Sequence, residues 1–582
     1  VTRNAEVAAR LEEFADYLDA TDVEYKPRAY RRAADNVRDY PQAIEDLVAE
    51  GQDAVERIEG VGEGIAEKIA EYVETGKIAE LEELHEELPV DLDALLAVEG
   101  VGPKTVGALY EALDIRTLDD LEAAARDHDI REVSGFGAKT EENILENIAF
   151  ARQTTERELL GDAVPLGQEV CAYLADREPV SRCDVAGSLR RWRATIGDVD
   201  VLAASDDGEA AIDAFTDWER ATDVIEAGTN KASVRVGDIR VDLRVVVPDE
   251  FGSALQYFTG SKDHNIRLRN HAIRQGKKIN EYGVFDVRDV QDPDAGQRVG
   301  ERLAGETEES VYEAVGLPCM PPELREDRGE IQAAIDGTLP DLLVEDDVRG
   351  DLHVHTDWSD GHSSIAEMVS GAAEFGHDYV CISDHATGPG MVGGVGVDDE
   401  ELHEQIGEIR DVTDDADITV FAGVEANIDA EGGISVADEV LEELDLVVAS
   451  PHAALDQDAV AATDRLLAAV ENPLVDVLGH PSGRLINRRE GLEFDVERVA
   501  AAAAEHETAL EVNANPNRLD LWGSAVQLSI GQGALIAIDT DAHSPAEYAN
   551  VTYGVHTARR GWAERADVLN TRDVDGLRSF LH

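Results

Sequence analysis

The side chains best suited to chemistry in this sequence recur at one kind of position, the end of a short apolar run. His353 and His355 follow Asp351-Leu352, with Asp360 five residues on. His385 closes the run Tyr379 to Asp384, Glu425 the run Thr419 to Val424, His452 the run Leu446 to Pro451, and His480 the run Val475 to Gly479. Asp541 and His543 follow Leu535 to Thr540. A barrel of parallel strands gathers strand-end residues around one mouth. Six of the sixteen histidines would meet three carboxylates there, a mixture of borderline and hard ligands that suits Zn²⁺, Mn²⁺ or Fe²⁺. Such a centre activates water for metal-assisted hydrolysis. Any one of these residues alone reads as an ordinary surface or core side chain. Nine in the same context read as a metal site.

A second constellation lies earlier. Gly187-Ser188-Leu189-Arg190-Arg191 is followed by Gly197-Asp198-Val199-Asp200-Val201-Leu202, and a further strand carries Arg240-Val241-Asp242-Leu243-Arg244. Residues i and i+2 of a strand point the same way, so Asp198 and Asp200 project together. Three carboxylates converging from two strands repel unless cations lie between them. Two Mg²⁺ or Mn²⁺ ions would relieve this and clamp the attacking and leaving oxygens of a phosphoryl displacement. Gly187 and Ser188 can approach a triphosphate, and Arg191 can neutralise it. In so acidic a chain a single Asp reads as a surface acid, but the joint pattern does not.

Glu59-Gly60-Val61-Gly62, Glu99-Gly100-Val101-Gly102 and Ser134-Gly135-Phe136-Gly137 form a weak repeat, with starts 40 and 35 residues apart. Two glycines one residue apart between helices let backbone approach a partner closely and free amides at a helix start, an arrangement that suits a phosphate. One such turn reads as a tight helical hairpin. Three in register read as DNA binding, the third, with Ser134 and Phe136, being looser.

The elements that must position these residues follow from periodicity. The chain is helical from its start to about residue 150, turns to short β-branched runs from Cys183 to Val247, and then to a mixed basic stretch reaching Gly316. Pro318, Pro321, Pro322 and an acidic segment to Asp347 read as a linker. From Asp351 onward apolar strands alternate with alanine-rich helices, which predicts an α/β parallel sheet or barrel. The four cysteines are scattered, with no CxxC pair, so structural zinc knuckles and a disulfide framework are excluded. No apolar run would span a membrane, and the first ten residues lack a signal-peptide pattern, so the expectation is a cytoplasmic protein without a membrane partner.

Composition concerns habitat more than partner. The chain has 582 residues, net charge −73, and 124 acidic against 51 basic residues, with only nine lysines and none after Lys278. The acids are spread among periodic apolar residues, which disfavours disorder. Evenly spread acid with little lysine resembles proteins adapted to very high salt, haloarchaeal ones above all, where a Debye length of about 3 Å screens self-repulsion. Against this background the clusters Arg182, Arg190, Arg191, Arg193 and Arg267, Arg269, Arg274, Lys277, Lys278 stand out as candidate phosphate contacts.

Residues from about Asn4 to Arg325 resemble the X family of DNA polymerases, the family of polymerase β, in a prokaryotic or archaeal form. The resemblance rests on the GS…GDVD…VDLR pattern and on further matches. Tyr257-Phe258-Thr259-Gly260-Ser261 resembles the loop that contacts the nucleotide sugar, Asn265 the residue reaching the base edge, and Arg269 the template-side arginine; Ile279 to Tyr282 also matches. It implies a lyase-like helical domain over 1–88 and fingers over 89–155, each with helix-hairpin-helix turns, then an α+β palm over 156–255 and a thumb over 256–320. It implies catalysis by Asp198, Asp200 and Asp242, nucleotide contacts from Gly187, Ser188, Arg191, Tyr257, Phe258, Gly260 and Asn265, and DNA contacts from Gly60, Gly62, Gly100, Gly102, Arg240 and Arg269. Implied partners are gapped or nicked duplex DNA and deoxynucleoside triphosphates, with a monomeric chain. Lys68 falls where the family's Schiff-base lysine stands, and Tyr30 also matches. Glu59 and Gly64, however, occupy places that are lysine-rich in the family, so lyase activity and a solvated helix residue both stay open.

Beyond a linker at 321–348, residues 349–582 resemble the PHP domain of the polymerase and histidinol phosphatase superfamily. This implies a distorted (β/α)7 barrel with three ions. His353, His355, Glu425 and Asp541 would hold one, Glu425, His452 and His480 a second, and Asp360, His385 and His543 the third, with Mn²⁺ the activating ion. Arg484 and the strand end at Asn513 are weaker phosphate candidates. The two resemblances together imply gap filling in base excision repair, with 3′–5′ exonuclease, abasic-site endonuclease and 3′-phosphatase activity. A DNA end-binding scaffold, and a PHP domain acting as a small-molecule phosphatase, are the alternatives.

Overall fold

In the computed structural model the described residues run from 4 to 581, apart from 22, 24, 25, 39, 41, 59, 97, 99, 134, 155, 156, 238, 294, 392–394, 414 and 415. They divide into two compact units, Val1–Arg157 with Asn487–Arg489, and Glu158–Ile486 with Glu490–His582. No described helix is long and apolar enough to cross a membrane.

The first unit is helical, as its periodicity predicts. Its helices include Asn4–Ala20, Lys26–Arg38, Glu63–Thr75, Pro103–Leu113 and Ala138–Thr154, and their apolar faces share one core around Leu11, Phe14, Ile69, Leu95 and Leu121. The glycine turns explain themselves. Gly60, Gly100 and Gly135 have φ of 76°, 83° and 96°, a backbone region that costs a residue with a Cβ about 1 kcal/mol or more. Gly62 and Gly102 are the N-caps of Glu63–Thr75 and Pro103–Leu113, with no side-chain cap. The third turn, expected to be looser, follows the same plan, with Gly135 left-handed and Gly137 immediately before Ala138–Thr154. Glu59, Glu99 and Ser134, which open the three repeats, lie outside the described residues.

The second unit begins with the palm. Helix Leu160–Ala175 packs on a five-stranded sheet formed by β1 (Arg182–Val185), β2 (Val199–Ala204), β3 (Asp223–Ala227), β4 (Lys231–Val236) and β5 (Ile239–Val246), in the order β1-β2-β5-β4-β3. Pairing is antiparallel except between β2 and β5. That parallel pair sets Asp200 directly opposite Asp242. Cys171 and Cys183, distant in motif terms, lie on the helix and on β1 with their sulfurs 3.0 Å apart, as free thiols. The thumb follows, with helices Phe251–Thr259 and Lys262–Ile273 and a three-stranded antiparallel sheet.

The segment expected as a linker is a packed joint instead. Residues 321–348 carry the helix Glu330–Asp336 and two 3-10 turns, and Leu324, Arg325, Glu323 and Glu330 are buried. Its charges made it read as solvated, but they are paired with groups from before and after the segment. Arg325 donates to Glu308 at 2.6 Å, Glu330 meets His264 at 2.7 Å, and Glu323 takes His556 and Arg559, each at 2.7 Å. Buried charges are tolerated only when paired in this way.

The barrel comprises β6 (Gly350–Val354), β7 (Tyr379–Ile382), β8 (Thr419–Asn427), β9 (Leu446–Ser450), β10 (Val477–Leu478), β11 (Ala509–Asn513) and β12 (Ile536–Asp539), all parallel and in chain order. His355 N–H donates to the Ala542 carbonyl at 2.8 Å just beyond the last strand, which draws the first and last strands together. The two-residue period of a strand separates the cores. Tyr379, Cys381, Leu446 and Val448 point inward with Leu569 and Leu577, whereas Val380, Ile382, Val447 and Ala449 face the helices.

Candidate active sites

The palm site starts from a glycine. Gly187, at φ 60°, opens a short helix after β1, and a Cβ there would lie 2.0 Å from Asp200 Oδ2. Only glycine lets this turn close over the carboxylate, while the Ala186 N–H, donating to the Asp200 carbonyl at 2.8 Å, ties the turn to β2. Asp198, Asp200 and Asp242 bring oxygens within 4.8 Å of one another. Burial, with Asp198 and Asp242 adding repulsion, pushes the Asp200 carboxyl up to about 7. A carboxylate cluster that cannot fully ionise by itself is a donor set suited to hard cations. Arg240 forms a two-pronged contact to Asp242 at 2.7 and 3.0 Å, so it steadies an acid of the cluster.

The other residues picked out around this site are only partly gathered. Ser188 follows Gly187 in the short helix. Tyr257, Phe258 and Thr259 are the last turn of a helix rather than a loop, and only Gly260 and Ser261 form the turn beyond it. Asn265 donates to the Tyr257 carbonyl at 2.8 Å and accepts from Gln256 at 2.7 Å. Arg269 is exposed on helix Lys262–Ile273. Arg191 is engaged by protein, through Glu326 at 3.0 Å and the Thr259 carbonyl. Arg190 likewise holds Glu308 at 2.9 and 2.6 Å. These two arginines fasten palm to thumb and joint, which their clustering in sequence did not reveal.

Lys68 lies on helix Glu63–Thr75 beside Glu80, 2.6 Å away. Burial works to lower its pKa, but Glu80 and Tyr30 outweigh it and hold the ammonium above the ordinary lysine range. A Schiff-base nucleophile needs the opposite shift.

At the barrel mouth all nine expected side chains converge. Glu425, fully buried on β8, is the centre. Histidine nitrogens surround its carboxylate at 2.5 Å (His385), 2.9 Å (His480), 3.2 Å (His452), 3.5 Å (His353) and 3.7 Å (His355). Asp541 reaches His355 at 3.1 Å. Asp360 reaches His543 at 3.3 Å and His385 at 3.4 Å. Burial opposes ionisation of Asp360, yet those two rings hold it well below the usual carboxylate range. Buried ligand-type atoms here lack hydrogen-bond partners, among them Nε2 of His353 and His452, both ring nitrogens of His355 and both Glu425 oxygens. So many orphaned donors facing one another are what a metal cluster satisfies. Ligand-type atoms lie within 4.8 Å of one another in the groups His355-Asp360-His385-His543, His353-His355-Glu425 and His385-Glu425-His452, each of which could hold an ion. Asp541 adopts φ 55°, strain of the kind stored at functional sites.

Sequence reasoning missed the residues behind these ligands. Glu511 accepts from His353 Nδ1 at 2.7 Å, which turns Nε2 toward the centre. Asn427 does the same for His452 at 2.7 Å. Asn427 ends β8, whereas Glu511 lies in the middle of β11, where the strand-end signal that found the other residues does not reach. Arg518 stands 3.5 Å from Asp541 and is a cation at the mouth. Asn513 donates to Asp541 at 3.0 Å, and Arg484 is held by the Arg518 and Leu519 carbonyls.

Comparison with known proteins agrees with this geometry. Helix-hairpin-helix domain families match residues 2–78 and, as a SAM-like tandem, 92–149. The DNA polymerase beta thumb matches 254–326, and the PHP domain matches 351–515. The DNA polymerase/3′-5′ exonuclease PolX of Bacillus subtilis is 34% identical over 576 residues, 98% of each chain. DNA polymerase lambda of Rattus norvegicus is 27% identical over 344 residues, 56% of each chain. A probable phosphatase of Caldanaerobacter subterraneus is 32% identical over 244 residues, 40% of this chain and 90% of its own. With both carboxylate-rich centres in place and a relative matched end to end, the chain belongs to the X family of DNA polymerases, in the form that carries a C-terminal PHP domain.

Proposed function

We propose that this chain fills short gaps in duplex DNA at the palm and processes DNA 3′ ends at the barrel mouth, in base excision repair. The carrying observation is that one compact unit holds two separate ligand groups, Asp198-Asp200-Asp242 and the Glu425-centred cluster. Divalent cations supply charge neutralisation at the first and Lewis acidity with an ionised nucleophile at the second. Mg²⁺ or Mn²⁺ fits the all-oxygen palm set. Three ions of Mn²⁺, Zn²⁺ or Fe²⁺ fit the histidine-rich set.

At the palm, Asp200 and Asp242 face one another across parallel strands, Asp198 joins them, and Gly187 keeps backbone close to where a triphosphate would lie. Asn265 and Tyr257, linked to each other, line the expected nucleotide side. The uncapped helix starts after Gly62 and Gly102 offer amides to DNA phosphates on gapped or nicked duplexes, without reading sequence. At the barrel mouth Glu511 and Asn427 fix the tautomers of His353 and His452, and Arg518 is placed to neutralise a phosphate. The activities expected there are 3′–5′ exonuclease, cleavage at abasic sites and removal of 3′ phosphates. Likeness to a probable phosphatase supports the last. The protein acts as a cytoplasmic monomer in this reading.

A duplex with a one-nucleotide gap tests the proposal. With Mn²⁺ and the templated nucleotide, wild-type protein should extend the primer by one residue. With nucleotides withheld it should shorten the primer or clear a 3′ phosphate. A primer left unchanged in both conditions overturns the reading.

A further inference from the structure

A cavity of about 370 Å³, whose walls contain no residue of either ligand group, lies where the palm, the joint and the barrel of the second unit meet. Its walls include Arg193, Arg328, Arg484 and Arg560, and one carboxylate, Glu326. Glu326 is already shared, reaching Arg191 at 3.0 Å, Arg560 at 3.1 Å and Arg193 at 3.4 Å. Among the described residues the Arg328 guanidinium has no carboxylate within 4 Å, although its backbone N–H donates to Glu330 at 2.8 Å. One of its terminal nitrogens donates to the Arg560 carbonyl at 2.8 Å, and its Nε is buried without any partner. Among the described residues the Arg484 guanidinium is held by two carbonyls and lies over the Trp522 ring, 5.4 Å from its centroid. Four guanidinium groups thus converge on one cavity with a single, oversubscribed acid between them, in a chain of net charge −73.

Two further features suit the same ligand. Gly523 and Ser524, the first residues of helix Gly523–Gly531, form part of the wall, and the N-cap Trp522 gives them no side-chain acceptor. Helix starts of this kind favour anions. Trp192 and Trp522 are also among the wall residues, with the Trp192 indole fixed by stacking on His556 at 3.6 Å between centroids. Concave, partly aromatic sites of about 300 Å³ and upward with a few convergent charges are typical of small ligands. Arginine forks match phosphate oxygens.

We propose that this cavity binds the phosphate of a nucleotide, with the indoles flanking its base. The source is either a free nucleoside monophosphate, as a nuclease would release, or the phosphorylated end of a DNA strand. Phosphate recognition rests on the arginines and the helix start, whereas the choice of a nucleotide rests on the proposed nuclease reading.

The test is calorimetric and fluorescence titration of the full chain in EDTA, which silences metal-dependent binding at both ligand groups. The probes are dAMP, deoxyadenosine, inorganic phosphate and a 5′-phosphorylated dinucleotide. Expected is one site per chain for dAMP or for the dinucleotide, with indole quenching, and at least tenfold weaker binding of deoxyadenosine. Preference between the two phosphorylated probes identifies the source. Ser524→Glu, which adds a carboxylate at an exposed wall position, and Arg328→Gln should each weaken binding at least tenfold while the melting temperature and gap filling stay as in wild type. Arg328→Lys should recover part of the loss. Binding of inorganic phosphate alone would overturn the nucleotide assignment while leaving the gap-filling reading standing. No binding at millimolar probe, or equal affinity in wild type and Ser524→Glu, would overturn the site.

Discussion

Gly187→Ala tests the palm geometry with a single methyl group. The Cβ would lie 2.0 Å from Asp200 Oδ2 and 2.9 Å from its Cγ. Since ordinary C···O contact begins near about 3.2 Å, the carboxylate or the turn must give way by about 1 Å. Neither is free to do so cheaply. Ala186 is buried and its amide is bonded to the Asp200 carbonyl, and Asp200 is fixed on β2 between two paired strands. The left-handed backbone, φ 60°, adds about 1–2 kcal/mol against alanine. A misplacement of about 1 Å in a reacting constellation costs about 100-fold in rate, or about 2.7 kcal/mol of transition-state stabilisation. Single-turnover filling of a one-nucleotide gap should therefore slow about 100-fold, while 3′-end processing by the same preparation stays within about twofold of wild type. Gap filling within about threefold of wild type would refute the claim that Gly187 fixes Asp200.

Other perturbations follow from the same geometry. Glu511 accepts from both His353 Nδ1 and the His480 N–H; Glu511→Gln leaves one uncharged acceptor oxygen for the two donors, and metal affinity at the barrel should fall about 10- to 100-fold, read as ions retained per chain after dialysis. Lys68, held protonated by Glu80, should give no borohydride-trapped adduct with 5′-deoxyribose-phosphate DNA; an adduct lost in Lys68→Ala would contradict this. His377 is buried and pushed down to about 4, chiefly by desolvation. Its folded pKa lies below the unfolded value of about 6.5, so the unfolded chain binds the extra proton between these values. The stability it withholds is absent above about pH 6.5 and grows as pH falls toward 4, reaching about 2 kcal/mol at pH 5. Denaturant unfolding of the second unit should thus lose less stability between pH 7 and pH 5 in His377→Phe than in wild type, and equal losses would refute the assignment.

The convergence of the barrel's candidate ligands was legible because strand-end position is a local signal. A histidine after four to six apolar residues marks a place at one mouth whatever the rest of the chain does. The palm aspartates were legible for a similar reason, since a two-residue period on one strand and a second acid on another suffice. Asn427 also ends a strand and Glu511 lies mid-strand, and what marks both as orienting partners is which ring nitrogen they meet, a tertiary fact. The joint was misread because charge predicts exposure on average. Glu323, Arg325 and Glu330 are buried because each found a counter-charge outside the segment, from 17 residues away for Arg325 to 233 for Glu323. Arg191 shows the reverse difficulty, since a basic residue beside a phosphate-binding turn reads as a ligand contact until Glu326, 135 residues away, is seen to hold it.

The central claim, two independent centres in one chain, is tested most directly by a crossover on a single gapped duplex with a mismatched 3′ end. Asp198→Ala should abolish extension and leave trimming intact. His355→Ala should abolish trimming and leave extension of a matched primer intact. Loss of both activities in each variant, with both variants folded, would contradict the account.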